Sequence, residues 1–181
     1  MDVGRVNGRI FLNSVTLGLS CEIAKALDHN TKRRLGLLAW PVVGARTLWK
    51  HHSLRLRIIA KERTFRVHTH QLVISNGRYI AGSVAAAPDA TVNDHLLRVF
   101  TLGRADVQSL ARGTIALLLG RHAHAQDTEY FSTQSLRVES LRRPVTVDVD
   151  GEINECTPLE IEILPEALRV VVPQGFRADE V

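Results

Sequence analysis

Between residues 54 and 76 the side chains alternate. L-R-L-R-I-I-A (54–60) and T-F-R-V-H-T-H-Q-L-V-I-S-N (64–76) set apolar residues at every second position on either side of Lys61-Glu62-Arg63. A period of two is the mark of a strand, whose successive side chains point to opposite faces. The pattern recurs along most of the chain. R-V-N-G-R-I-F-L-N-S-V-T-L-G (5–18) reads as two short strands about Asn7-Gly8, since an Asn-Gly pair between apolar residues favours a tight hairpin. Further strands are expected at Leu96–Leu102 and near 129–139, 144–149, 152–155, 158–164 and 167–173, with Pro165 and Pro173 as punctuation. Residues 78–90, rich in Gly and Ala and holding Pro88, read as a loop or an irregular edge strand. Helical spacing interrupts three times. Ser20–Leu27 carries Ile23, Ala24 and Leu27 on one face, with Ser20 as a cap. Residues 34–49 form an apolar stretch that Pro41 bends or opens. Asp106–Leu119 is the clearest amphipathic helix, stopped by Gly120. The expected fold is mainly β, a β-sandwich with a few inserted helices.

A chain of 181 residues is sized for one domain and buries enough surface to hold a core without staples. We place that domain at 1–173 and a frayed tail at 174–181. Cys21 and Cys156 are far apart and fit neither a zinc spacing nor a disulfide framework, as suits a reducing, cytoplasmic setting. The first residues lack the apolar core of a signal peptide, and no run approaches the length of a membrane span. The net charge of +4, carried almost wholly by Arg, suits phosphate or anionic lipid but does not choose between them. Five Phe, two Tyr and two Trp make no stacking platform, so nucleic acid is not expected as a partner.

Several clusters could carry chemistry. His68-x-His70 sets two imidazoles on one strand face, but a zinc site needs more ligands, and a solvated face accounts for them. His122 and His124 follow the long helix and suit its negative end. No nucleophile elbow, Walker A loop or G-x-G-x-x-G is present. Asp89 and Asp94, in P-D-A-T-V-N-D-H-L-L-R-V, could hold a hard cation or form a plain turn. In V-T-V-D-V-D-G-E-I-N-E-C-T (145–157), Asp150-Gly151 reads as a tight turn, and Glu152 is an acid just beyond it.

The order of these pieces is more specific than any one of them. F-L-N-S-V-T-L-G (11–18), L-V-I-S-N-G-R-Y-I-A-G (72–82), A-P-D-A-T-V-N-D-H-L-L-R-V (87–99), G-R-H (120–122), D-V-D-G-E (148–152) and L-E-I-E-I-L-P-E-A-L-R-V-V-V-P (159–173) follow one another. Over residues 2–173 this resembles the C-terminal half of the diacylglycerol kinase catalytic family, which includes YegS-like lipid kinases and sphingosine kinases. The resemblance implies a two-domain enzyme: an N-terminal domain whose G-G-D-G-T motif binds ATP, and a C-terminal β-sandwich, with the active site between them. This chain matches only the second, and its start, almost inside a strand, is what a piece of a larger protein would show.

By the same resemblance Glu152 is the catalytic acid of D-G-E, accepting the hydroxyl proton or holding Mg²⁺ during phosphoryl transfer. Asp150 and Gly151 shape the turn and are its candidates for contact with the bound nucleotide, and Asp94 is the candidate metal ligand. Family members often carry D-G-x-L-D where this chain has D-H-L-L-R (94–98). Arginine cannot ligate a cation, so Arg98 invites the expectation that its guanidinium stands in for the ion. The implied partners are a lipid drawn from a membrane surface, the absent nucleotide-binding domain and, with oligomeric state open, a second copy in a homodimer. The apolar Trp40–Trp49 stretch faces either lipid or core. Two other classes remain: a non-catalytic module that binds a lipid or a partner, and a related kinase with a soluble acceptor.

Overall fold

A computed structural model describes residues 1–26, 47, 51–80, 84, 85, 87, 89–104, 106–121 and 127–173. Two six-stranded antiparallel sheets face each other. The first runs, in spatial order, β2 (Arg9–Phe11), β1 (Val3–Val6), β14 (Leu159–Leu164), β11 (Ser135–Ser140), β4 (Leu54–Ala60) and β5 (Thr64–Thr69). The second runs β10 (Tyr130–Thr133), β9 (Leu97–Leu102), β6 (Gln71–Ser75), β3 (Ser14–Gly18), β12 (Thr146–Val149) and β13 (Glu152–Cys156). A two-stranded hairpin, β7 (Tyr79–Ile80) and β8 (Val84–Ala85), lies within the stretch read as loop or edge strand.

The inner faces share one core, in which Phe11, Leu56, Ile58 and Val138 of the first sheet meet Leu17, Leu72, Ile74 and Val149 of the second. Phe11 is fully buried over Gly4: a Cβ at residue 4 would stand 2.0 Å from the Phe11 ring, so only glycine lets the ring lie there. Burial of such a ring contributes about 2–3 kcal/mol. The outer face of the second sheet is also covered, because Val73, Phe100 and Leu102 pack against Leu110 of helix α2 (Val107–Leu118). That third layer explains why β6 and β9 are buried at every position instead of alternating. Asp106 caps α2, its carboxylate accepting from Ser109 N at 2.8 Å.

The structure corrects four expectations. T-F-R-V-H-T-H-Q-L-V-I-S-N is not one strand: β5 belongs to the first sheet and β6 to the second. The stretch near 129–139 likewise divides into β10 and β11. A threonine turns both corners. Thr69 Oγ1 donates to Gln71 O at 2.9 Å, and Thr133 Oγ1 to Ser135 O at 2.9 Å, local bonds that compete with the ladder. Helix α1 (Leu19–Ala26) starts before Ser20, and its first turn is satisfied by the side chain of Gln71, which accepts from Ser20 N at 2.9 Å. Finally, 167–173 is not a strand. No strand among the described residues pairs with it, and Val170, Val171 and Val172 are exposed.

Candidate functional site

The turn between β12 and β13 has two residues. Val149 faces Glu152 across the ladder, and both Asp150 (φ 52°) and Gly151 (φ 89°) lie in the left-handed region. This is the hairpin geometry that matches strand twist, and Asp and Gly tolerate it best. Asp150 then does a second thing. Its Oδ2 accepts from Leu12 N at 2.6 Å and its Oδ1 from Asn13 N and Ser14 N, each at 2.9 Å. The carboxylate therefore clamps the hairpin to F-L-N-S at the start of β3. Gly151 N donates to Asp148 Oδ1 at 2.7 Å and closes the turn from the other side. Glu152 is left as the outward acid. Its side chain is 69% exposed, and among the described residues it pairs with Arg9, whose Nη2 donates to Oε2 at 2.5 Å.

The same rim collects the other motifs. Ser14 pairs with Ser75, and Ser75 with Arg98, so Asp150, Ser14, Ser75 and Arg98 lie in a row across the end of the second sheet. Three strand spacings separate its ends, roughly 14 Å. Asn76, buried just past β6, donates through Nδ2 to Asp2 O at 3.1 Å and to Leu12 O at 3.0 Å. Asp2 is 1% exposed, and its carboxylate accepts from His95 N at 2.8 Å and from Glu166 N at 2.9 Å. One polar network thus ties together residues that are more than 150 positions apart.

At the far end of the row, Asp94 Oδ1 accepts from Leu96 N at 3.0 Å, and Oδ2 from Thr91 N at 3.1 Å and Arg98 Nη2 at 2.8 Å. Arg98 also donates from Nε to Asp89 Oδ2 at 3.1 Å and from Nη2 to Asp89 O at 3.2 Å. The Tyr130 hydroxyl donates to the other Asp89 oxygen. Burial pushes Asp89 up, but the Tyr130 hydrogen bond and the Arg98 charge outweigh it and hold the carboxyl below the usual carboxylate range. Burial and the Asp89 partner push Tyr130 well above the usual phenol range. His95, standing where the family pattern has Gly, adopts φ 60°. A divalent cation does not fit the arrangement at Asp94, because a guanidinium already stands among the oxygens that would ligate it.

The structure separates the two histidines of H-T-H. His68 lies on β5 against Ser53 Oγ at 2.7 Å; His70 is buried at the corner, its Nε2 3.1 Å from the Asp106 carbonyl. Neither shared metal binding nor a common solvated face survives. No group of three His, Cys, Asp or Glu side chains among the described residues could hold a metal. His122, His124 and Trp40–Trp49 lie outside the described residues. Burial raises the Cys21 thiol, whose Sγ donates to Thr16 O at 3.1 Å. At the opposite end of β12 a cleft of about 850 Å³ is lined by Lys25, Arg55, Arg142 and Arg143, among others. Sequence reasoning missed Asp2, Asn76 and Arg9. Only Asn76 carried a signal, a polar residue closing the apolar run L-V-I-S.

Residues 13–172 match the profile of the YegS C-terminal NAD kinase beta sandwich-like domain. The chain belongs to this family. It is 30% identical over 177 residues to a Pseudomonas aeruginosa (strain PAO1) protein named "Probable lipid kinase YegS-like", covering 97% of this chain and 57% of the relative. It is 24% identical over 174 residues to a Bacillus subtilis (strain 168) protein named "Diacylglycerol kinase", covering 96% of this chain and 57% of that one. A crystal structure of a protein from Bacillus anthracis str. Sterne, described as a diacylglycerol kinase, has TM-score 0.65 and 23% identity over 91% of this chain and 53% of its own. The chain therefore spans a little over half the length of the curated relatives it matches. Within the family, the D-G-E hairpin and the Asp94 loop of this chain lie on one rim of the sandwich.

Proposed function

We propose that this chain is the C-terminal domain of an ATP-dependent lipid kinase, transferring the γ-phosphoryl group to a hydroxyl of diacylglycerol or a related lipid. The supporting observation is the hairpin that holds Glu152 outward on a rim whose backbone is fixed by Asp150, Asn76 and Asp2. Phosphoryl transfer is catalysed largely by positioning and charge. Glu152 directly follows a two-residue turn that Asp150 clamps through three N–H bonds, so its backbone has little freedom to lose. Glu152 accepts the proton of the attacking hydroxyl, and Arg9 orients the carboxylate and supplies positive charge beside it. Asp150 and Gly151 shape the turn that meets the nucleotide. ATP and Mg²⁺ are the expected cofactors, the metal neutralising phosphate charge when bound; Glu152, exposed and paired with Arg9, is the acid of this chain that would face it.

The nucleotide-binding domain, from outside this chain, covers the rim. The lipid reaches it from a membrane, to which the protein attaches peripherally on the cytoplasmic side. The loop from β11 to β12 suits that contact, with exposed Leu141 beside Arg142 and Arg143. No helix among the described residues is long and apolar enough to cross a membrane. The test is phosphate transfer from labelled ATP to a panel of diacylglycerol, sphingoid base, phosphatidylglycerol and a soluble alcohol, using this chain joined to a nucleotide-binding domain of the family. Label in one lipid supports the kinase; lipid binding without transfer moves the non-catalytic module to the front; label only in a soluble alcohol points to the soluble-acceptor kinase.

A further inference from the structure

The loop from Asp89 to Asp94 aims two carboxylates and one backbone carbonyl at a single point. Such an oxygen set on a short turn is what holds a hard divalent cation. At that point stands the Arg98 guanidinium, 5% exposed, with Asp94 Oδ2 at 2.8 Å, Asp89 Oδ2 at 3.1 Å and Asp89 O at 3.2 Å. Its Nη1 has no hydrogen-bond partner among the described residues. We infer that Arg98 is a built-in cation, so that the 89–98 loop keeps its shape without a bound divalent metal.

The chemistry supports the substitution. A planar guanidinium carries one positive charge and presents donors in a fixed fork, so it can bridge two carboxylates as an ion does. It is covalently held, so its occupancy does not depend on metal concentration. The surroundings are tuned to it: the Tyr130 hydroxyl holds the remaining Asp89 oxygen, and backbone N–H groups of Thr91 and Leu96 hold Asp94. A cation added beside Arg98 would meet like charge at contact distance. The 89–98 loop joins the row that ends at Asp150, so its order matters to the proposed site, but the inference stands on loop geometry alone and its test uses no lipid.

The experiment is thermal melting of this chain and of Arg98→Gln, each with 5 mM EDTA, Mg²⁺ or Ca²⁺. The unsubstituted chain should melt within about 1 °C under all three conditions. Arg98→Gln leaves two carboxylates facing each other and should melt about 5 °C lower in EDTA, less than for a fully buried pair because Asp94 is only half-buried and Asp89 is exposed. Mg²⁺ or Ca²⁺ should restore several degrees to Arg98→Gln and none to the parent. A parent stabilised by several degrees in Mg²⁺ or Ca²⁺ overturns the inference, as does an Arg98→Gln chain as stable as the parent in EDTA. Should Arg98→Gln fail to fold, terbium luminescence on the parent decides: no saturable binding supports the built-in cation, and a site abolished by Asp94→Asn overturns it.

Discussion

Replacing Asp150 by Ala should unfasten the rim without touching the core. The carboxylate accepts three N–H bonds, at 2.6, 2.9 and 2.9 Å, and their contributions differ with exposure. Leu12 and Asn13 are exposed, so water takes over most of their share, leaving about 0.5 kcal/mol each. Ser14 is buried, and stranding its N–H costs about 2 kcal/mol. Alanine at φ 52° adds about 1 kcal/mol of backbone strain. The total is about 4 kcal/mol, which in a domain of this size lowers Tm by roughly 8–16 °C. Asp150→Asn keeps the tolerance for the left-handed turn and one carbonyl acceptor, so it should lose about half as much. Melting followed by circular dichroism at pH 7 reads both. An Ala variant within about 2 °C of the parent, or an Asn variant as damaged as Ala, would show that Asp150 does not clamp the hairpin.

Other expectations follow from the same geometry. Gly4→Ala drives a Cβ into the Phe11 ring and should cost about 1–3 kcal/mol, seen as a lower urea midpoint with unchanged slope. His70 is held neutral, first by burial, so its folded pKa lies below its unfolded value near 6.5. Its unfolded form binds the proton first, so its contribution to stability is present above about pH 6.5 and is lost as pH falls. Tm should therefore decline below that pH, and His70→Gln should flatten the decline; His68, lowered first by burial too, leaves a residual slope.

The sheets were largely legible, because a strand with one wet face must alternate and most of these strands have one. The corners were not. Thr69 and Thr133 pass the chain between sheets through bonds only two residues long, while the apolar rhythm runs on across them. The valines of 167–173 have strand propensity, but a strand also needs a partner, and none is present among the described residues. At the site, the turn at Asp150-Gly151 and the exposure of Glu152 could be read directly, because two-residue hairpins have strict residue demands. The clamp could not, since it depends on β3 lying beside β12. Asp2 and Asn76 were silent for a related reason: only the folded sandwich brings residues 2, 12, 76, 95 and 166 together. Arg98 was legible as a departure from a pattern, and the fold supplied the two carboxylates that receive it.

The most direct measurement is the single-turnover rate of phosphate transfer to lipid by Glu152→Gln, made with this chain joined to a nucleotide-binding domain of the family and compared with its parent. The Arg9–Glu152 pair is exposed and contributes at most about 1 kcal/mol, so Tm should move by no more than about 4 °C. The rate should fall at least ~100-fold, the usual effect of removing a catalytic acid or base. A variant that transfers phosphate at the parent's rate would show that Glu152 is only the first residue of β13, held by Arg9 and facing water.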